Sequence, residues 1–121
     1  KLDTLLADGE ADPDQQFLKQ LFEQKLLDVQ LTDIEGLGFT NWRKMMPELV
    51  KMGTQASPHA WGSLLKTNYT AHLAGGLGNT VTIEGVTSSS DDVDLTAYSV
   101  KDGQLIPPIL PGFGMQLLKT I

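Results

Sequence analysis

Residues 28–59 read DVQLTDIEGLGFTNWRKMMPELVKMGTQASPH, and the order of signals within them decides the fold. "DVQLTD" is too short for a helix between a preceding helical pattern and "IEGLGFT", so it is read as a buried strand ending near Asp33. A helix follows. Thr40 is its expected N-cap, Trp42, Met45, Met46, Leu49, Val50 and Met52 supply an apolar stripe, and Gly53 suits the C-terminal stop. Pro47 removes a backbone hydrogen bond inside that pattern, which predicts a kink or two shorter turns. "GTQAS" then gives a short strand leading into Pro58 and His59. A strand, a helix and a second strand in succession imply parallel pairing and a βα unit.

The same alternation extends in both directions. "LDTLLADGE" (2–10) reads as a strand ending at Glu10. Asp12 is expected to cap a helix whose first residue is Pro13 and whose apolar positions are Phe17, Leu18, Leu21, Phe22 and Leu26. Beyond His59, "AWGSLLKTNYTAHLAGG" predicts a third helix with Trp61, Leu64, Leu65, Tyr69, His72 and Leu73 near one face, closing at Gly75 and Gly76. "NTVTIEGV" (79–86) reads as a strand ending around Glu84. "SSSDDVD" is read as the start of another short helix, "AYSVKDGQLI" as a hairpin turning at Asp102-Gly103, and "PPILPGFGM" as an extended tail. No domain boundary shows before about residue 95.

At 121 residues the chain suits one modest α/β domain. It contains no cysteine, which excludes disulfides, thiol nucleophiles and thiolate metal sites, so any metal must be held by oxygen or imidazole. A formal charge of -6 argues against nucleic acid, whose phosphates call for clustered Lys and Arg. The apolar runs fall short of the ~20 residues of a membrane span. With no secretory leader in view, a soluble, cytoplasmic protein is expected. The first residue is Lys, so the chain is read as processed, cut or taken from something longer.

In parallel βα architectures the reactive groups sit at the carboxyl ends of the strands. Those positions hold Glu10, Asp33, His59 and Glu84, which are 23, 26 and 25 residues apart. One polar group per consecutive strand is the main functional signal. The ordered set "ADGE", "VQLTD" with "GFTNW", "SPHAW", "AHLAGGLGN" before "TIEGV", and "PGFG" resembles the C-terminal half of the mandelate racemase branch of the enolase superfamily, from about Leu6 to Leu118.

This resemblance implies the C-terminal half of a TIM-like (β/α)7β barrel. Residues 1–95 would form its last four strands with their helices. Residues 96–121 would be a hairpin and tail returning toward a capping domain outside this chain. It further implies a homo-oligomeric, Mg²⁺-dependent lyase that dehydrates an acid sugar by α-proton abstraction and ene-diolate stabilisation. Glu10 would be one of three carboxylate ligands of Mg²⁺, His59 the base, Asp33 its hydrogen-bonded partner, and Glu84 an acid donating to the developing oxyanion. The chemistry of the residues agrees with those roles: carboxylate oxygen suits Mg²⁺, imidazole titrates near neutrality, and a His base with Mg²⁺ is the superfamily's pattern. The upstream metal ligands lie outside this chain, so the N-terminal part of the same enzyme is an implied partner. Two other readings stand beside this one. They are a racemase or epimerase of a 2-hydroxy acid, and a non-catalytic half-barrel serving as an assembly module.

Trp61, two residues past His59, is read either as lining the substrate pocket or as anchoring the third helix. Phe113 and His72 are read as packing residues. "GGLGN" follows a helix and precedes a strand, the reverse of a phosphate-binding loop. Asp91, Asp92 and Asp94 lack the spacing of a calcium loop. The "NYT" sequon at Asn68 falls inside the third helix, where glycosylation is not expected.

Overall fold

A computed structural model describes residues 3–85 and 91–119. Three short parallel strands, β1 (Ala7–Asp8), β2 (Val29–Gln30) and β3 (Gln55–Ala56), form one sheet in the order β1-β2-β3. Helix α1 (Gln15–Glu23) connects the first pair, and α2 (Ile34–Leu37) with α3 (Phe39–Met52) connects the second. Helix α4 (Leu64–Leu77) follows β3. The chain then returns beside β3, where Thr80 bridges Ala56 in parallel. The expected alternation is present and the class is α/β.

Several helix limits differ from expectation, each for a local reason. Asp14, not Asp12, caps α1: its carboxylate accepts from the amides of Gln16 and Phe17 at 2.9 and 3.0 Å. Asp12 lies at φ 40°, one residue ahead of Pro13, too far back to reach the free amides of the first turn. Thr40 lies inside α3, which begins after Gly38, because Asp33 opens the extra turn α2 with its own side chain. Pro47 does not divide α3, which runs as one helix to a left-handed cap at Gly53. Gly75 and Gly76 lie within α4, whose cap is Gly78.

The core gathers between the sheet and its helices from Ile34, Trp42, Met46, Leu49, Ala56, Ala60 and Leu73. Trp42 is fully buried, and its indole N–H donates to the Thr32 carbonyl at 3.2 Å. Complete burial of an aromatic side chain of this kind stabilises by a few kcal/mol. On α4 the buried residues are Thr67, Asn68, Thr70, Ala71 and Leu73, a more polar face than the apolar spacing predicts. Asn68 is buried, so the sequon is not presented to solvent.

The expected strand 79–86 is reduced, within the described residues, to the bridge at Thr80. Beyond it Ser57 Oγ donates to the Thr82 carbonyl at 2.9 Å and Thr67 Oγ1 to the Glu84 carbonyl at 3.0 Å. Side chains thus replace the ladder, and Val86 lies outside the described residues. Of "SSSDDVD", residues 88–90 also lie outside them, and Val93–Asp94 form a strand, β4, rather than a helix. This strand pairs antiparallel with β7 (Gln116–Leu117). The hairpin is as expected: β5 (Ser99–Lys101) and β6 (Gln104–Ile106) meet at Asp102 and Gly103, whose φ values of 52° and 76° are those of a type I′ turn. The segment after it folds back instead of extending. Phe113 packs edge-on against Phe39 at 5.0 Å and against His72 at 5.2 Å, while His72 meets the Tyr98 hydroxyl at 2.8 Å. Both residues fasten the tail to α3 and α4.

Candidate active site

The ends of the strands are tied together through the main chain. Asp33 N–H donates to the Glu10 carbonyl at 2.9 Å, and Ile34 N–H donates to the His59 carbonyl at 3.0 Å. Asp33 and His59 form a parallel bridge. Glu10, Asp33 and His59 therefore stand in one row at the carboxyl edge of the sheet. Glu84 joins the row through its side chain: one carboxylate oxygen accepts from the amides of Ala60 and Trp61 at 2.6 and 3.0 Å.

His59 is the centre of this row. Its Nδ1 lies 3.0 and 3.2 Å from the two Glu84 oxygens, and its Nε2 lies 3.3 Å from Glu10 Oε1. The imidazole is about four-fifths buried, whereas Glu10 is mostly exposed. Glu84 Oε2 is thus an acceptor from two main-chain amides, while Oε1 lies against His59 Nδ1.

Asp33 departs from the expected pairing. Its Oδ1 accepts from the amides of Glu35 and Gly36 at 2.7 and 2.8 Å, and its Oδ2 meets the Lys66 ammonium at 2.9 Å. The expected Asp33–His59 side-chain hydrogen bond is therefore replaced by Asp33–Lys66 and His59–Glu84 contacts. Burial pushes the Asp33 carboxyl up, but the Gly36 amide, the Lys66 ammonium and the Glu35 amide outweigh it and hold it below the usual carboxylate range. Lys66, hydrogen-bonded to Asp33 and then to Glu35, is raised above an ordinary lysine despite the opposing effect of burial. Lys66 is the site residue that sequence reasoning missed. The signal was a lysine in the first turn of a helix, against the macrodipole.

Trp61, read as either a pocket residue or a helix anchor, is 65% exposed. Glu10 fits one position around Mg²⁺ by its chemistry: it is a hard, exposed oxygen donor at a strand end. Among the described residues no three His, Cys, Asp or Glu side chains are grouped to hold a metal ion. No described helix is long and apolar enough to cross a membrane.

All of residues 1–121 match the family described as enolase C-terminal domain-like. The chain belongs to that family. This enolase C-terminal domain-like chain is similar to solved structures of a galacturonate dehydratase from Geobacillus sp. One, complexed with D-galacturonate and 5-keto-4-deoxy-D-galacturonate, is 26% identical with a TM-score of 0.88 over 96% of this chain. A mutant of a Geobacillus sp. galacturonate dehydratase complexed with Mg is 26% identical, with a TM-score of 0.85 over 93% of this chain. A mandelate racemase/muconate lactonizing protein from a Geobacillus sp., complexed with magnesium and tartrate, is also 26% identical, with a TM-score of 0.77 over 93%. The domain spans 31%, 29% and 29% of those three chains. Comparison with curated proteins gives no match.

Proposed function

We propose that this domain carries the proton-abstracting side of a Mg²⁺-dependent dehydratase acting on an acid sugar. The single observation that carries the reading is the row itself: the His59 imidazole held between the carboxylates of Glu10 and Glu84 at the carboxyl edge of the parallel sheet. The similarity to the galacturonate dehydratase structures supports the substrate class. In this reading β1, β2, β3 and the Thr80 segment are the last four strands of a TIM-like (β/α)7β barrel. Residues 1–95 belong to that barrel, and residues 96–121 are a hairpin and tail directed toward a capping domain. Upstream residues of the same enzyme complete the site, and the enzyme is a cytoplasmic homo-oligomer.

His59 is the general base. As the base, His59 would donate Nδ1–H to Glu84 and take the proton from the carbon next to the substrate carboxylate at Nε2, the nitrogen that meets Glu10 in this structure. The Glu84 carboxylate then stabilises the imidazolium, and the two amides from Ala60 and Trp61 hold that carboxylate in place. Imidazolium Nε2–H can return its proton to a hydroxyl leaving from the adjacent carbon, which completes dehydration. Asp33 belongs to the same set through its main-chain bridge to His59, and Trp61 offers an exposed aromatic face to the substrate. Glu10 would supply one carboxylate to Mg²⁺. When bound, Mg²⁺ supplies positive charge to offset the second negative charge that proton removal builds on the substrate.

The test is a screen of acid sugars, D-galacturonate first, against the full-length protein with Mg²⁺, following a keto-deoxy product. Product formation is expected. Exchange of the α-proton of a 2-hydroxy acid with no dehydration product would instead establish the racemase reading, and absence of both reactions would leave the assembly module.

A further inference from the structure

Residues 91–119 bond mainly to one another. β4 pairs with β7 and β5 with β6, Leu118 N–H donates to the Asp92 carbonyl at 2.8 Å, and Lys119 meets Asp92 Oδ1 at 2.9 Å. The segment is a loop closed at its two ends. Among the described residues, its side-chain attachment to the helices is concentrated at His72. The Nε2 of that imidazole meets the Tyr98 hydroxyl at 2.8 Å, and the hydroxyl donates to the Phe113 carbonyl. The Phe113 ring is centred 4.6, 5.0 and 5.2 Å from the rings of Tyr69, Phe39 and His72.

Hydrogen-bond chemistry gives this attachment a direction. A carbonyl oxygen only accepts, so the Tyr98 proton is committed to Phe113. The phenol oxygen is left with lone pairs facing His72, and Nε2 must carry the hydrogen between them. The opposite tautomer would take the Tyr98 proton and leave the Phe113 carbonyl without it. The four strands of the segment are two or three residues long, too short to persist once they lose the body they rest on.

We propose that residues 91–119 are a strap that opens and closes as one cooperative unit, latched by a directed relay from His72 Nε2–H through the Tyr98 hydroxyl to the Phe113 carbonyl. The phenol stands in the middle of the relay, so its loss breaks both bonds at once. Phe113 then loses the main-chain anchor that seats its ring between Phe39 and Tyr69. The strand-end row plays no part in this device.

The test is amide hydrogen exchange of the full-length protein, read by mass spectrometry on peptides covering 91–119 and α3. In Tyr98→Phe, which keeps the ring and removes the hydroxyl, exchange should rise about 10-fold or more, the size set by two lost hydrogen bonds, and it should rise together at β4, β5, β6 and β7 while α3 stays unchanged. His72→Gln, which keeps an N–H donor, should remain close to wild type, and His72→Leu should not. In nitrogen-15-labelled protein at a pH where imidazoles are neutral, His72, assigned by the loss of its signals in His72→Gln, should be the Nε2–H tautomer. An Nδ1–H tautomer would overturn the direction of the relay. Exchange that is unchanged, or that rises only beside residues 98 and 113, would overturn the cooperative strap. If Tyr98→Phe does not fold, His72→Leu, which removes the first bond alone, decides by the same readout.

Discussion

Asp33 and His59 are bridged main chain to main chain at the ends of β2 and β3, while their side chains turn to different partners, Lys66 and Glu84. The imidazole is thereby fixed in place by one neighbour and oriented by another. If His59 is the base, His59→Asn in the full-length enzyme should lower substrate α-proton exchange by roughly 10²–10⁴-fold, the usual contribution of a positioned base. Exchange measured in deuterated water checks this, and unchanged exchange would assign the base elsewhere.

The Asp33–Lys66 pair carries a pH signature. Asp33 is depressed, so its contribution to stability is present above the ordinary carboxylate pKa of ~3.9 and lost as pH falls through the lower folded value. Lys66 is raised, so its contribution is present below ~10.4 and lost as pH rises through the higher folded value. Wild type should therefore exceed Lys66→Met in stability mainly between about pH 4 and 10, with the gap closing at both limits. Urea titrations at a series of pH values measure it; a gap independent of pH would show that packing, not charge, is what Lys66 contributes.

Gly9 sits immediately before Glu10 at φ 99°, and a methyl group there would lie 2.7 Å from Leu18 Cδ1. Gly9→Ala is expected to destabilise by more than about 1 kcal/mol, since both the backbone conformation and the space oppose it. The same displacement should weaken Mg²⁺ binding by the complete enzyme. Denaturation and metal titration of one variant test both effects.

Burial, with a smaller effect from Tyr69, pushes the Tyr98 hydroxyl up to about 12. That hydroxyl bonds the Phe113 carbonyl and meets His72. The unfolded chain, with a tyrosine pKa near ~10, loses its proton first, so stability should fall from about pH 10 upward. The difference between wild type and Tyr98→Phe in an ultraviolet pH titration should show a phenol ionising late. A transition at the ordinary position would contradict the closed latch between α4 and the tail.

Much of the architecture could be read from short-range chemistry. The cap at Gly53, the turn at Asp102-Gly103 and the strand ends at Asp33 and His59 follow from local rules. What was not legible depends on distance. The bridge at Thr80 stops early because hydroxyls from Ser57 and Thr67, distant in sequence, take over the carbonyls of Thr82 and Glu84. Likewise β4 needs a partner more than twenty residues later, at Gln116–Leu117. In the site, strand order placed the four polar groups together, but partner choice among them depends on side-chain direction. Asp33 meets a lysine on α4, and His59 meets Glu84.

The main-chain bonds from Asp33 to Glu10 and from Ile34 to His59 set a fixed pitch between the reactive positions, that of neighbouring strands, ~4.8 Å. An engineer could therefore lengthen or rewrite the loops leaving these strand ends to admit a different substrate while keeping the spacing of the acid-base groups. Inserting or deleting a single residue between Val29 and Asp33, or between Gln55 and His59, would have the opposite outcome. The end residue would exchange faces of the sheet, and the carboxylate or the imidazole would be handed from the crevice to the helices behind it.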